Sequence, residues 1–235
     1  MIKIGYFLCN PYFRENCWIA YDGGKAVLVD PGFTEEAEFT PFLELMRKED
    51  LTLEAVFITH GHFDHIFGVN RLLSVFKDVP VYMSPEDKDL QAMGKDMAAL
   101  FDESADVMFD SVGIADGDVL EAAGHKWEVI ATPGHSKGGV CYYCREEGII
   151  FSGDTLFAGS IGRSDLHGAD YEKLIVSIMD RLMGLDGATE VLPGHGRSTT
   201  ISDERTHNPF LEPWGEAIQD CIDWNEEGIE LNGQG

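Results

Sequence analysis

Positive charge is scarce in this sequence. Its 235 residues carry 17 lysines and arginines against 42 aspartates and glutamates, a formal net charge of −25. A protein that grips nucleic acid through its phosphates needs the opposite sign, so nucleic acid is excluded as the main partner. Anionic membrane surfaces are disfavoured on the same ground. Long apolar runs are also missing. The longest stretch without a charged side chain is ten residues, Ile4 to Phe13, and it contains Asn10 and Pro11. A bilayer span takes about 20 apolar residues. The first residues lack the basic, apolar and small-residue succession of a secretory signal, so a cytoplasmic location is expected. Cysteines are few and odd in number, five in all, in a chain long enough to bury a core without disulfides. Cys141 and Cys144 sit in a β-rich run, where a spacing of three puts the two thiols on opposite faces of a strand. They read as strand residues, not as a metal or redox pair. No repeat or low-complexity segment stands out, and 44% apolar with 25% charged residues is the composition of an ordinary globular chain.

The periodicity predicts strands at Ile2 to Leu8, Cys17 to Tyr21 and Ala26 to Val29, with Asp22-Gly23-Gly24 as a hairpin turn. Thr40 and Pro41 read as an N-cap and first helical position, ahead of the apolar face Phe42, Leu43, Leu45 and Met46. A strand at Leu53 to Ile58 and a helix around Phe67 to Phe76 follow. From Ser84 to Asp118 ten acids face two lysines, and this stretch reads as an acidic surface insertion with short helical pieces. Strands at Trp127 to Thr132, Val140 to Cys144, Ile149 to Phe151 and Glu190 to Leu192 surround a helix from Tyr171 to Met183. Two groups of strands alternating with helices predict two packed sheets covered by helices. The expected organisation is a catalytic domain over 1–210 and an acidic C-terminal helix or tail over 211–235.

The chemistry is concentrated where strands end. Three of eight histidines fall in His60-Gly61-His62-Phe63-Asp64-His65, directly after a predicted strand. His135 and His195 each follow a Pro-Gly, and Asp154 follows the strand Ile149 to Phe151 within Ser152-Gly153-Asp154-Thr155. Glycine lets the backbone turn so that a side chain enters a cleft. Imidazole and carboxylate suit zinc and iron. Five histidines and two aspartates at strand ends therefore predict a metal centre beyond the carboxyl edge of the sheets. His125, His167 and His207 stand outside the set; His125 and His207 read as structural residues and His167 as a solvated loop residue.

These motifs, Thr59-His60-Gly61-His62-Phe63-Asp64-His65, Pro133-Gly134-His135, Gly153-Asp154-Thr155 and Pro193-Gly194-His195, resemble the metallo-β-lactamase superfamily over about residues 1 to 200. The runs Gly153 to Arg163 and Leu192 to Gly196, followed by Glu204-Arg205 and Asn208-Pro209-Phe210, resemble its short bacterial glyoxalase II (hydroxyacylglutathione hydrolase) branch. The resemblance implies an α/β fold, a four-layer αβ/βα sandwich. It implies one metal site of His60, His62 and His135, a second of Asp64, His65 and His195, and Asp154 bridging them. Asp64 and Asp154 become the catalytic carboxylates. Two divalent ions are expected, zinc first, with iron or manganese compatible because mixed nitrogen and oxygen ligands select weakly. Two adjacent dications lower the pKa of a shared water, so a bridging hydroxide can attack a thioester without a side-chain nucleophile.

The expected substrate is a small-molecule thioester, with Arg163 and Arg205 as candidate substrate contacts. Glutathione itself should be held weakly, because full-length glyoxalase II proteins carry a helical C-terminal domain for it, and this chain has an acidic segment there. The runner-up is a mononuclear-iron persulfide dioxygenase using His60, His135 and Asp154. Behind it stand a lactonase or esterase and a non-enzymatic binding module of the same fold. A true β-lactamase is disfavoured because its second site usually lacks the bridging aspartate.

Overall fold

The computed structural model describes residues 1–99 and 106–211. The first sheet runs in the order β1 (Lys3–Cys9), β2 (Glu15–Asp22), β3 (Lys25–Val29), β4 (Thr52–Phe57), β5 (Val81–Met83), β6 (Val112–Gly113). Its first three strands are antiparallel and the rest parallel. The turn between β2 and β3 places Gly23 and Gly24 at φ of 56° and 81°, the left-handed pair that a two-residue hairpin needs. The second sheet contains β7 (Val119–Ala122), β8 (His125–Ala131), β9 (Val140–Cys144), β10 (Ile149–Gly153), β13 (Glu190–Pro193) and β14 (Thr199–Thr200), in the order β14-β13-β10-β9-β8-β7. A small hairpin, β11 (Leu156–Phe157) and β12 (Ser160–Ile161), leaves the end of β10.

The two sheets pack face to face. Trp18, Val27, Val29 and Phe57 of the first meet Trp127, Val129, Tyr142 and Phe151 of the second. Phe57 stacks on Tyr142 at 4.5 Å between ring centroids and Trp127 on Phe151 at 5.2 Å. The outer face of the first sheet is covered by α1 (Glu36–Lys48) and α3 (Val69–Val75) through Phe39, Phe42, Met46 and Leu72. The outer face of the second is covered by α5 (Tyr171–Ser177), which continues as a π-turn over Ile178–Leu182, and by α6 (Ile201–His207). This is the expected αβ/βα sandwich. Alternation along β9 sends Cys141 to the helix side and Cys144 into the space between the sheets, both as free thiols.

The structure adds the short strands β5, β7, β11, β12 and β14 to those read from the sequence, and it differs from that reading in α1 and within 84–118. Helix α1 starts at Glu36, so Pro41 lies inside it. The Glu38 carboxylate accepts from the Thr34 and Glu35 amides and so organises an earlier start, while the Thr40 hydroxyl donates back to the Glu36 carbonyl. Within 84–118, β6 extends the first sheet, a short 3₁₀ turn over Pro85–Asp87 leads into α4 (Lys88–Ala98), and Asp87, Gln91 and Val107 are buried. The described residues of the stretch are acidic on the outside yet packed into the fold. The acidic segment 212–235, with Cys221, lies outside the described residues. Among the described residues no helix is long and apolar enough to cross a membrane.

Candidate metal centre

Strand β4 ends at Phe57, and the chain then turns through Thr59, His60, Gly61 and His62 into α2 (Phe63–Ile66), a single turn carrying Asp64 and His65. His135 follows β8, Asp154 follows β10 and His195 follows β13, so all seven residues meet at one edge of the sandwich. Gly194 is needed there because a Cβ at its position would sit 2.6 Å from His65 Cε1 and crowd the Asp154 carboxylate. Gly153 turns the chain at φ 48°, a left-handed angle that glycine adopts freely.

His60, His62 and His135 form one group whose potential ligand atoms all lie within 4.8 Å of one another, and Asp64, His65 and His195 form another. Asp154 stands between them. Its Oδ1 is 3.4 Å from His65 Nε2, and its Oδ2 is 3.5 Å from His135 Nε2 and 3.6 Å from His195 Nε2. His62 Nδ1 and His135 Nε2 converge to 2.9 Å.

The far nitrogens decide which lone pairs face inward. His135 Nδ1 donates to the Arg163 carbonyl at 2.7 Å and His195 Nδ1 to the Phe13 carbonyl at 3.1 Å. His65 Nδ1 donates to Asp30 Oδ2 at 3.0 Å. The Thr59 hydroxyl donates to the same oxygen at 2.6 Å, which leaves it to accept from His60 Nδ1 at 3.0 Å. In its neutral form each ring is thereby held in the tautomer with Nε2 bare, the arrangement that metal-binding imidazoles use. His60 Nε2, His65 Nε2 and Asp154 Oδ1 are buried without a hydrogen-bond partner. Such atoms are costly unless something else pairs them, and a divalent cation fits this donor set.

Electrostatics separate the two groups. Burial, then the surrounding imidazoles, push His60 well below the usual histidine range, and burial with His135 brings His62 down to about 4. His60 and His62 are therefore neutral and offer lone pairs. Around His65 burial opposes the charged form, but Asp154, Asp64 and Asp30 outweigh it and hold the ring up at about 10. Asp64 is lowered despite its own burial, by His65 and His195. This side of the centre calls for positive charge, and a dication supplies it more fully than one proton.

Asp30 and His60 with His65 make a third candidate group. Asp30 orients ligands instead, because its oxygens already accept from the Thr59 amide, the Thr59 hydroxyl and His65 Nδ1. The sequence reading passed over it, although Val29-Asp30-Pro31-Gly32 shows the same acid at a strand end as Asp154. It also missed Asp87. That buried carboxylate accepts from the Gly61 amide at 2.9 Å, the Ser136 hydroxyl at 2.8 Å and the Gly138 amide at 2.6 Å, tying the His60 loop to the His135 loop. The His195 loop is held from β2, where the Asn16 amide group and the Trp18 indole both donate to the Pro193 carbonyl.

Of the two candidate arginines, Arg163 borders the cleft over the cluster and is paired to Asp165 through two contacts of 2.9 Å. Arg205 is not in the cleft. It donates to the Met183 and Leu185 carbonyls and is a structural residue of α6, which corrects its assignment as a substrate contact. The neighbouring Glu204 and Asn208 are structural as well: Glu204 accepts from the Gly159 amide and from Asn208, which also donates to the Ser160 carbonyl, clamping the β11–β12 hairpin. His167 lines the cleft and is exposed. His125 lies at the opposite end of its strand, beside Asp22 and Glu147.

Comparison with known proteins agrees with this geometry. The pattern of the Metallo-beta-lactamase superfamily matches residues 11–195. A Haemophilus influenzae protein named hydroxyacylglutathione hydrolase GloC is 34% identical over 203 residues, covering 85% of this chain and 93% of its own. Among solved structures, BLEG-1 B3 metallo-beta-lactamase superposes with a TM-score of 0.79 at 33% identity, covering 89% of this chain and 99% of that one. TTHA1623 in a di-iron-bound form gives 0.76 at 36% identity, with 88% and 100% covered. ETHE1 from Myxococcus xanthus gives 0.73 at 25% identity, with 99% and 92% covered. With the sandwich, the histidine and aspartate cluster at its edge and a family match spanning most of the chain, this protein belongs to the metallo-beta-lactamase superfamily.

Proposed function

We propose that the chain is a thioester hydrolase of the hydroxyacylglutathione hydrolase type that works with two divalent ions, zinc being the first expectation. The observation that carries this reading is the Asp154 carboxylate, which faces one group through Oδ2 and the other through both oxygens. His60, His62 and His135 would hold one ion, Asp64, His65 and His195 the other, and Asp154 would join them. Bound there, the pair would supply Lewis acidity and a hydroxide nucleophile at neutral pH. The chain's own part is to keep His60 and His62 neutral by burial and to orient the imidazoles through Asp30, Thr59 and the carbonyls of Phe13 and Arg163. It also buries the cluster at the bottom of a cleft, where charge is poorly screened. The GloC relative supports the thioester substrate; the di-iron form of TTHA1623 keeps iron in view beside zinc.

Purified protein should contain about two ions per chain by elemental analysis and release thiol from S-lactoylglutathione without consuming oxygen. A chelator should abolish the activity, and divalent metal should restore it. One iron per chain with oxygen uptake on glutathione persulfide would overturn the reading in favour of a dioxygenase. Cleavage of a β-lactam with no thioester cleavage would overturn it too.

A further inference from the structure

The cleft above the cluster is built for an apolar group. It encloses about 520 Å³, within the range of small-molecule sites. His62, Asp64, His135, Asp154 and His195 form its floor, while Phe13, Leu90, Met93, Met97, Phe157 and Leu166 form much of its walls. Three of those residues come from α4. Leu90, Met93 and Met97 are spaced three and four apart, so they line one face of the helix. The face does not serve the core, since Met93 and Met97 remain 46% and 45% exposed. Large exposed apolar side chains that line a cleft over a reactive centre mark a ligand surface more than a packing surface.

Charge in the cleft points the same way. Among the described residues Arg163 is the one arginine or lysine of this lining, and Asp165 pairs with the Nε–Nη2 edge of its guanidinium. A substrate recognised through several carboxylates would meet no unpaired lysine or arginine among the described residues of that wall. The chain as a whole, at a net charge of −25, provides no steering for it.

We infer that the thioesters this site favours carry an extended apolar arm, laid along α4 against Leu90, Met93 and Met97 with the thioester over Asp64 and Asp154. This rests on the hydrolase reading above, and it names the substrate class within it. S-Lactoylglutathione, with a short polar acyl group and a charged thiol, is then a poor substrate of the same site.

Two series test the inference on the metal-replete protein. In the first, acetyl, butanoyl, hexanoyl and octanoyl esters of one small thiol are compared, alongside acetyl esters of thiols of increasing alkyl length. Burial of a methylene is worth about fourfold in kcat/KM, so one series should climb on the order of a hundredfold from acetyl to hexanoyl or its thiol equivalent. The series that climbs identifies which arm lies on α4. Met93→Glu should flatten the climb, with the longest ester losing at least about tenfold relative to the acetyl ester. Met97→Glu is the second variant, and the melting temperature of each establishes that it folds. In the second series, straight-chain carboxylates of two to eight carbons are titrated calorimetrically, a readout that needs no turnover. Affinity should rise with length, with a negative heat-capacity change, and should cease to do so in the glutamate variants. Binding independent of chain length overturns the apolar site whatever the enzyme cleaves. Length-dependent binding without cleavage of any thioester keeps the site and overturns the hydrolase reading instead.

Discussion

Asp154→Asn is expected to cost turnover on the order of a thousandfold and to lower the metal content below two ions per chain. The carboxylate lies within 3.4 to 3.6 Å of Nε2 atoms on His135 of one candidate group and on His65 and His195 of the other. An amide of the same shape removes the negative charge and replaces one acceptor oxygen with an NH₂ donor. Both ions would lose a shared anionic partner, so the loss should exceed that of a ligand serving one ion. Elemental analysis and steady-state kinetics of the variant read this directly, and an unchanged melting profile separates it from misfolding. His167→Ala is the reference. That side chain is exposed on the cleft wall, and its loss should change kcat/KM by less than about fivefold, as expected of a residue making no buried charged contact. Equal losses in the two variants would mean the ligand assignment is wrong.

The second large effect is expected at Asp87, far in sequence from every proposed ligand except the His60 to His65 segment. Asp87→Ala would leave the Gly61 amide, the Ser136 hydroxyl and the Gly138 amide without their acceptor in a buried setting. Each unpaired donor costs about 1–3 kcal/mol, so a stability loss of about 3–5 kcal/mol is expected in denaturant unfolding. The carboxylate also sets the spacing between the loops bearing His60, His62 and His135, so affinity for the first ion should fall about 10- to 100-fold, the usual scale for removing a partner behind the ligands. Asp87→Asn keeps one acceptor oxygen and the volume, and should recover part of both losses. If Asp87→Ala were as stable as the parent and bound metal as well, the loops would be fixed by something else. Gly61 and Gly138 fit the clamp, because a Cβ at either would lie 2.8 Å from an Asp87 atom.

Asp87 also shows where sequence reading reaches its limit. The stretch around it is dominated by acids, and an acid among acids reads as a solvated surface. Its partners lie 26, 49 and 51 residues away, a pairing with no local periodicity. Asp30 is a different case: it stands at a strand end before Pro-Gly, and the signal was present but was overshadowed by the histidine motifs nearby. Arg205 was read from its place in a motif shared with Glu204 and Asn208, yet those side chains turn inward to clamp the hairpin after β10 and Arg205 itself binds helix-end carbonyls. The start of α1 was displaced because a tertiary contact competed with local preference. Glu38 accepts from the Asn10 amide as well as from Thr34, and that network sets the helix start ahead of Pro41.

The sequence by itself determined the strands β1 to β4, β8 to β10 and β13, the two-sheet architecture and the seven histidines and aspartates that follow strand ends. These follow from side-chain alternation within strands of a few residues and from glycines placed where the chain must leave a sheet, both of which are local properties. Only the tertiary structure decided which imidazole nitrogen faces the centre, which carboxylates orient instead of ligate, and that Leu90, Met93 and Met97 border the cleft. Those outcomes depend on hydrogen bonds and contacts between segments distant in the chain, whose distances exist only once the two sheets have closed on each other.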